Sequence, residues 1–399
     1  MTITEAEIAT TLQNTSRAGP PPRPGRLPAT IIVAGLNNAP LAGARLVLPM
    51  IALSMGIGPA LVGLMASMFT LAPMFLTVAF GRWVDRSGPL TPILFSTGLI
   101  VAAAVLFEAH PSQSTLLAMA ALIGAGGMFS HVAATRAVGE VGPPSARARH
   151  IGYLVVAYSV FQFLGPVIAG SSYEWGGGEA AVLSLGGFAA LSFLVLATPW
   201  HNFSRWPTEN RPAAAGRTRE LWAVPGLGKW LLTLGVFGGV QAIYPFVLSL
   251  HVVAQGLSAA DAGMMLGAFA IGSLVSRMTV GLVTRWLRGP LVVTLALIGG
   301  GLAYAALPFM QTLLPLMTLS AAMGFAIGLG SPIVLALIYD TAPPARVNES
   351  IGLGMAITNL LQTALPLTLG LVASGLGIGA MVWALAFAML VCAALTGRT

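Results

Sequence analysis

The sequence predicts an all-α membrane protein in which twelve transmembrane helices form two pseudo-symmetric six-helix bundles. Three observations predict it. Apolar runs long enough to cross a bilayer follow one another along the chain, basic residues fall in alternate connections only, and the second half repeats the first at a fixed offset. Composition sets the class. Of the 399 residues 56% are hydrophobic and 8% charged, with 48 Gly and 27 Pro, whereas a soluble chain carries about a quarter charged residues. Glycine and proline at this level suit packed membrane helices, where small residues let backbones approach and neighbouring helices re-satisfy broken hydrogen bonds.

Residues 1–28 are polar and rich in proline (Gly19-Pro20-Pro21-Pro22-Arg23-Pro24). No apolar core precedes a cleavage site, so they read as a disordered cytoplasmic tail and not as a signal peptide. A helix needs about 20 apolar residues to cross a core about 30 Å thick. Such runs lie at 29–55, 58–81, 90–108, 114–136, 150–171, 180–198, 227–250, 261–282, 290–308, 312–338, 350–372 and 376–396. Between the sixth and seventh lies the polar segment His201–Glu220, with Arg205, Arg211, Arg217 and Arg219. The span 199–226 reads as a cytoplasmic linker between bundles at 29–198 and 227–399.

Basic residues orient the helices. Arg82, Arg86, Arg136, Arg147, Arg149, the central linker, Arg285, Arg288, Arg346 and Arg398 all fall on one side. The opposite connections, around His110, Tyr173–Glu179, His251–Ala260, Gln311 and Gly375, contain no Lys or Arg. Both termini are therefore expected in the cytoplasm, with the chain multi-pass in a cytoplasmic (inner or plasma) membrane. The net charge of +7 belongs to that face, which excludes nucleic acid as its explanation. A single cysteine, Cys392, excludes an intrachain disulfide and a cysteine-based metal site.

The halves match at an offset of 200 residues. Ile151-Gly152, Gln162, Pro166 and Gly170 recur as Ile351-Gly352, Gln362, Pro366 and Gly370; Gly63, Phe69, Gly81 and Pro143-Pro144 recur as Gly263, Phe269, Gly281 and Pro343-Pro344. Two bundles related by an axis along the membrane normal follow, with a site expected at their interface near the midplane.

Between the second and third runs stands Gly81-Arg82-Trp83-Val84-Asp85-Arg86-Ser87-Gly88-Pro89. Its G-x-x-x-D-R-x-G spacing resembles the loop between helices 2 and 3 of the major facilitator superfamily of secondary transporters. That pattern normally continues with two basic residues; Pro89 and Leu90 stand there. The resemblance covers residues 30–396 and rests also on the helix count, the linker and the repeat. It implies that Gly81, Asp85, Arg86 and Gly88 belong to a cytoplasmic gate, with Asp85 near the N-terminal end of helix 11 where exposed N–H groups favour an anion. The alternative is a solvated turn with orienting charges. The second half has Arg285 at the matching position, so this gate would be asymmetric. Gly165, Pro166 and Gly170 resemble the Gly-Pro motif of antiporters in the same superfamily, and a kink-and-packing motif is the alternative. The nearest branch by resemblance is bacterial drug and metabolite efflux of the proton-antiporter kind. That branch often carries an Arg in helix 4, and Leu122-Ile123-Gly124-Ala125-Gly126-Gly127 has none.

Arg45 is the leading substrate residue. It lies eleven residues before Gly56, about 16 Å from the outer end of its helix. An intramembrane Arg normally faces a cavity or a partner, and no carboxylate is deeply placed in any run. Its planar fork suits carboxylate or phosphate; bonding to backbone carbonyls is the alternative. Asn37 and Asn38 lie on the same helix. Gln241 and Tyr244 share a face of helix 7, where Tyr244-Pro245 suggests a local break. Gln162, Asn359 and Gln362 supply the repeated amides. Arg277 is near enough to the surface to snorkel. His131 is a candidate proton relay, with a neutral hydrogen-bonded role as the alternative.

No catalytic constellation, filter loop or cofactor motif emerges, so an enzyme, a channel and a cofactor are not expected. Met65, Met68, Met264, Met265 and His251 raise copper import without forming a spaced cluster, so no metal is expected. The expected function is alternating-access transport of a small organic solute by a monomer. Efflux or exchange of an anionic or amphipathic compound leads; proton-coupled uptake of an organic acid and a non-transporting receptor on the same fold are the alternatives. The partners are the solute, the lipid bilayer and, where coupling requires them, protons.

Overall fold

The computed structural model describes residues 26–139, 141, 146–197, 219–343 and 346–397. Most of the polar tail and of the linker therefore lies outside the described residues. The elements are α1 (Arg26–Ser54), α2 (Pro59–Ser87), α3 (Leu90–Ala109), α4 (Gln113–Gly139), α5 (Arg147–Ala197), α6 (Arg219–Trp222), α7 (Leu227–Gln255), α8 (Ala259–Trp286), α9 (Gly289–Ala306), a short 3₁₀ turn (Leu307–Phe309), α10 (Leu313–Thr341) and α11 (Val347–Thr396). Ten of these runs are long and apolar enough to cross a membrane. No strand occurs among the described residues.

Ten runs make twelve spans because α5 and α11 each hold two. The 51 residues of α5 laid straight would reach about 76 Å, far beyond one bilayer. The helix breaks at Gly176 and Gly177, and α11 breaks at Gly377. Gly177 (φ 69°) and Gly377 (φ 85°) hold backbone conformations open to glycine and strained for other residues. The two parts of α5 lie side by side, since Ala169 before the break and Leu185 after it both abut Gly43 of α1. The connections expected around Tyr173–Glu179 and Gly375 are thus found there, as tight turns made at glycine.

The charged step after the second run is corrected likewise. Helix α2 continues through it to Ser87, and only Gly88-Pro89 connects it to α3. Arg86 in the last turn complements the helix C-terminus, and Trp83 packs edge-on against Phe80 and Phe95 at 5.4 and 5.3 Å. Gly88, at φ 76°, ends the helix with its N–H donated to Val84 O.

The bundles meet through α2 with α11 and α5 with α8. Alternation of the spans places the arginines at one end, the basic face, and the connections without them at the other, the far face. Toward the far face the contact is tight. A side chain at Gly63 would strike the Pro366 carbonyl and Gly370; one at Gly263 would strike the Pro166 carbonyl, and one at Gly170 the Ala259 carbonyl. Ser67 Oγ donates to Thr363 O (2.8 Å), Ser249 Oγ to Leu46 O (3.0 Å), and Ala260 N to Glu174 Oε2 (3.1 Å). Ser258 and Asp261 cap the same α8 terminus reciprocally.

Toward the basic face the bundles part. Gly81, Gly281, Gly152 and Gly352 each follow or precede a tight glycine (Gly63, Gly263, Gly170, Gly370) by 18 residues, which is five turns of helix and so the same face. None of the four meets, among the described residues, an atom beyond its own helix backbone within 4 Å of where a side chain would stand. The interface is closed at the far face and open at the basic one.

Candidate substrate-binding site

The opening leads to Arg45. It projects from α1, whose buried flank (Ala44, Leu46, Val47 and Leu48, each at 0% exposure) fixes the helix in the core. The guanidinium lies 6.0 Å from the centre of the Phe69 ring, the outer limit of a cation–π contact. No described residue hydrogen-bonds it or pairs with its charge. A cation without a counter-ion in a partly closed, low-dielectric space attracts an anion strongly.

Three adjoining spaces between the bundles all include Arg45. The first, about 500 Å³ with its open mouth, lies among α1, α5, α7 and α8 and carries Asn38, Gln162, Gln241, Tyr244 and Phe269. The second, about 350 Å³, lies among α1, α2, α4 and α11 and carries Phe69, Met74, Met128, Asn359 and Gln362. A smaller space of about 270 Å³ joins Arg45, Phe69 and Gln362 to Phe246 and Ala242 of α7. Gln162, Gln241, Asn359 and Gln362 have no side-chain hydrogen bond to a described residue. Arg45 and the four uncommitted amides are thus gathered from four helices, α1, α5, α7 and α11, into one chamber.

The remaining predicted residues divide. Asn38 lines the first space and reaches Tyr158 O only at 3.5 Å. Asn37 does not line it: its side chain is fully buried in its own bundle and Nδ2 donates to Thr97 Oγ1 (2.9 Å) and Ser130 Oγ (3.1 Å). Adjacent residues on a helix point 100° apart, which is why one faces the chamber and the other the core. Tyr244 contributes the wall of its ring but not a free hydroxyl, which bonds Ser320 Oγ at 2.6 Å while the ring stacks on Phe269 at 5.0 Å.

His131 is exposed, lines none of the three spaces and packs against Tyr158 at 4.8 Å. Arg277 reaches across the bundles to Ser159 Oγ at 3.3 Å, so it is an interface residue and not a snorkelling one. Pro166 lines the first space, and Gly165 and Gly170 are close-packing positions against Ala39 and Ala259. Arg86 and Gly81 border the open face; the Asp85 side chain lies outside the described residues. At the α11 N-terminus Arg346 pairs with Glu349 (2.8 Å) and with Glu220 of α6 (2.9 Å).

The walls Phe69, Phe269, Leu41, Met74 and Met128 were not read from the sequence as site residues, because apolar side chains in apolar helices carry no local mark. The repeat held the one usable signal, since Phe69 and Phe269 match across it.

The sequence profile of the Major Facilitator Superfamily matches residues 30–314 and again 230–398. No curated protein matches the sequence. Among solved structures, the nucleoside transporter NupG superposes with a TM-score of 0.73 at 13% identity, covering 93% of this chain and 99% of that one. A POT family transporter in complex with a thioalcohol-conjugated peptide gives 0.72 at 12% identity, covering 92% and 94%. The human organic anion transporter MFSD10 (TETRAN) gives 0.59 at 18%, covering 94% and 100%. At these identities the likeness is one of fold. With the profile spanning both bundles and the fold matching, the chain belongs to the Major Facilitator Superfamily and is a membrane transporter of that type.

Proposed function

We propose that the protein carries a small organic anion with an amphipathic body across the cytoplasmic membrane, by efflux or exchange, with the basic face in the cytoplasm. One observation carries the reading: Arg45, at the junction of the three described spaces between the bundles, has no counter-ion among the described residues. The anion supplies the missing charge, and the apolar walls hold its body. Arginine density on the open face supports the orientation. A cytoplasm-negative potential then favours expulsion of an anion. The chamber is complete within one chain, which fits a monomer. Cavity-lining carboxylates are absent among the described residues, so a co-transported proton would travel on the substrate.

A thermal-shift series on purified protein tests this. Organic anions are expected to raise the melting temperature by native-state binding, lipophilic cations and neutral compounds are not, and Arg45→Ala is expected to lose the response. A wild type that responds only to cations or neutral compounds, with Arg45→Ala responding equally, would make Arg45 structural and overturn the reading.

A further inference from the structure

Residues of the first space are matched across the 200-residue repeat by residues on the other side of α1 that line the second and the smaller spaces. Phe269 and Gln162 in the first correspond to Phe69 and Gln362 on the other side of α1, and Ala42 corresponds to Ala242. Each side therefore offers the same frame, one aromatic wall and one glutamine. What differs is what has been added to it. Arg45 stands where the second half has Pro245, so the chamber has one cationic centre, offset toward the first bundle. Gln241 and Asn38 stand where the other half has Leu41 and Gly238, so three amides from three helices converge on the first space. The second takes its amides from α11 alone and is otherwise walled chiefly by Phe69, Pro73, Met74 and Met128, with the Thr70 hydroxyl already bonded to Thr363 (3.1 Å).

From this pattern, and resting on the anion reading above, we infer that the substrate is a two-armed monoanion. Its acidic group sits at Arg45, an arm bearing an amide or a similar hydrogen-bonding group enters the first space, and an apolar arm enters the second. The single charge follows from the single cation: no other Lys, Arg or His lines the three spaces, and a second anionic group would be desolvated without a partner. The amide arm is assigned to the first space because Gln162, Gln241 and Asn38 converge there from three helices, whereas the equally uncommitted Asn359 and Gln362 of the second come from α11 alone. The apolar arm follows from the methionine and aromatic walls, which adapt to varied shapes.

Four probes separate the terms. N-acetyl-L-phenylalanine has the acid and both arms; 3-phenylpropionate lacks the amide arm; N-acetylglycine lacks the apolar arm; N-acetyl-L-phenylalanine amide lacks the charge. Dissociation constants from thermal shifts of the full chain in detergent are expected to rank N-acetyl-L-phenylalanine tighter than either one-armed anion by about fivefold or more, one net hydrogen bond's worth for the amide arm, with the uncharged amide not binding. Gln241→Leu, which copies the repeat partner Leu41, is expected to bring N-acetyl-L-phenylalanine down to the level of 3-phenylpropionate and leave 3-phenylpropionate unchanged. Gln162→Leu makes the same comparison if that variant does not fold. Three anions that bind alike and respond alike to the variant would overturn the two-armed inference and leave the anion reading standing. No shift with any anion, or a shift with the uncharged amide alone, would overturn both.

Discussion

At the scale of the residue, what separates function from framework here is whether a polar side chain has spent its hydrogen bonds. Arg45 and the amides of Gln162, Gln241, Asn359 and Gln362 have not, among the described residues. Asn37 and Tyr244 have, on Thr97, Ser130 and Ser320. Asn37→Ala would leave the buried Thr97 and Ser130 hydroxyls without their donor, a cost of about 1–3 kcal/mol. The expected outcome is a lower melting temperature with the anion-induced shift intact, measured by thermal unfolding with and without N-acetyl-L-phenylalanine. An Asn37→Ala protein as stable as wild type would remove the bonding role assigned to it.

At the scale of the element, the glycines of the interface divide into packed and open ones. Each of α2, α5, α8 and α11 carries two glycines five turns apart on one face, one pressed against the opposite bundle and one facing open space. The pressed ones cannot accept a side chain without backbone displacement, so they belong to a seal; by symmetry the open ones are expected to form the seal of the opposite state. Since Gly63 packs on α11 at Gly370, its helix-mate Gly81 is expected to meet Gly352 once the basic face closes. A Gly81→Cys, Gly352→Cys pair is expected to cross-link only during the transport cycle and then to stop counterflow. Cys392 is buried and remote from both positions in the chain. Cross-linking in neither presence nor absence of substrate would mean that the basic face closes elsewhere.

At the scale of the whole molecule, a carrier with a fixed cation and no carboxylate in its described chamber moves net charge when it moves a monoanion. In proteoliposomes a valinomycin-imposed potential, negative on the basic-face side, is expected to speed exit of N-acetyl-L-phenylalanine from that side. At 100 mV the driving force is about 2.3 kcal/mol per charge, roughly a 50-fold gradient at equilibrium. Flux indifferent to the potential would show that the charge is compensated, by a cation travelling with the anion or by an anion exchanged for it.

Span number and pairing of the halves were legible in the chain, because bilayer thickness and a fixed 200-residue offset act on composition and order alone. Arg45 stood out for the same reason, as a charge at a depth that hydrocarbon does not tolerate. The breaks of α5 and α11 fell where the runs had placed connections; that one or two glycines alone make each turn was not legible, since such a turn leaves no polar gap. Folding alone settled that Asn38 faces the chamber and Asn37 the core. The same is true of the Tyr244 hydroxyl, which found Ser320, and of the open end, which is the basic one. Those are outcomes of helix rotation and bundle tilt, set by packing between residues far apart in the chain, and neighbouring positions in one apolar helix carry no record of them.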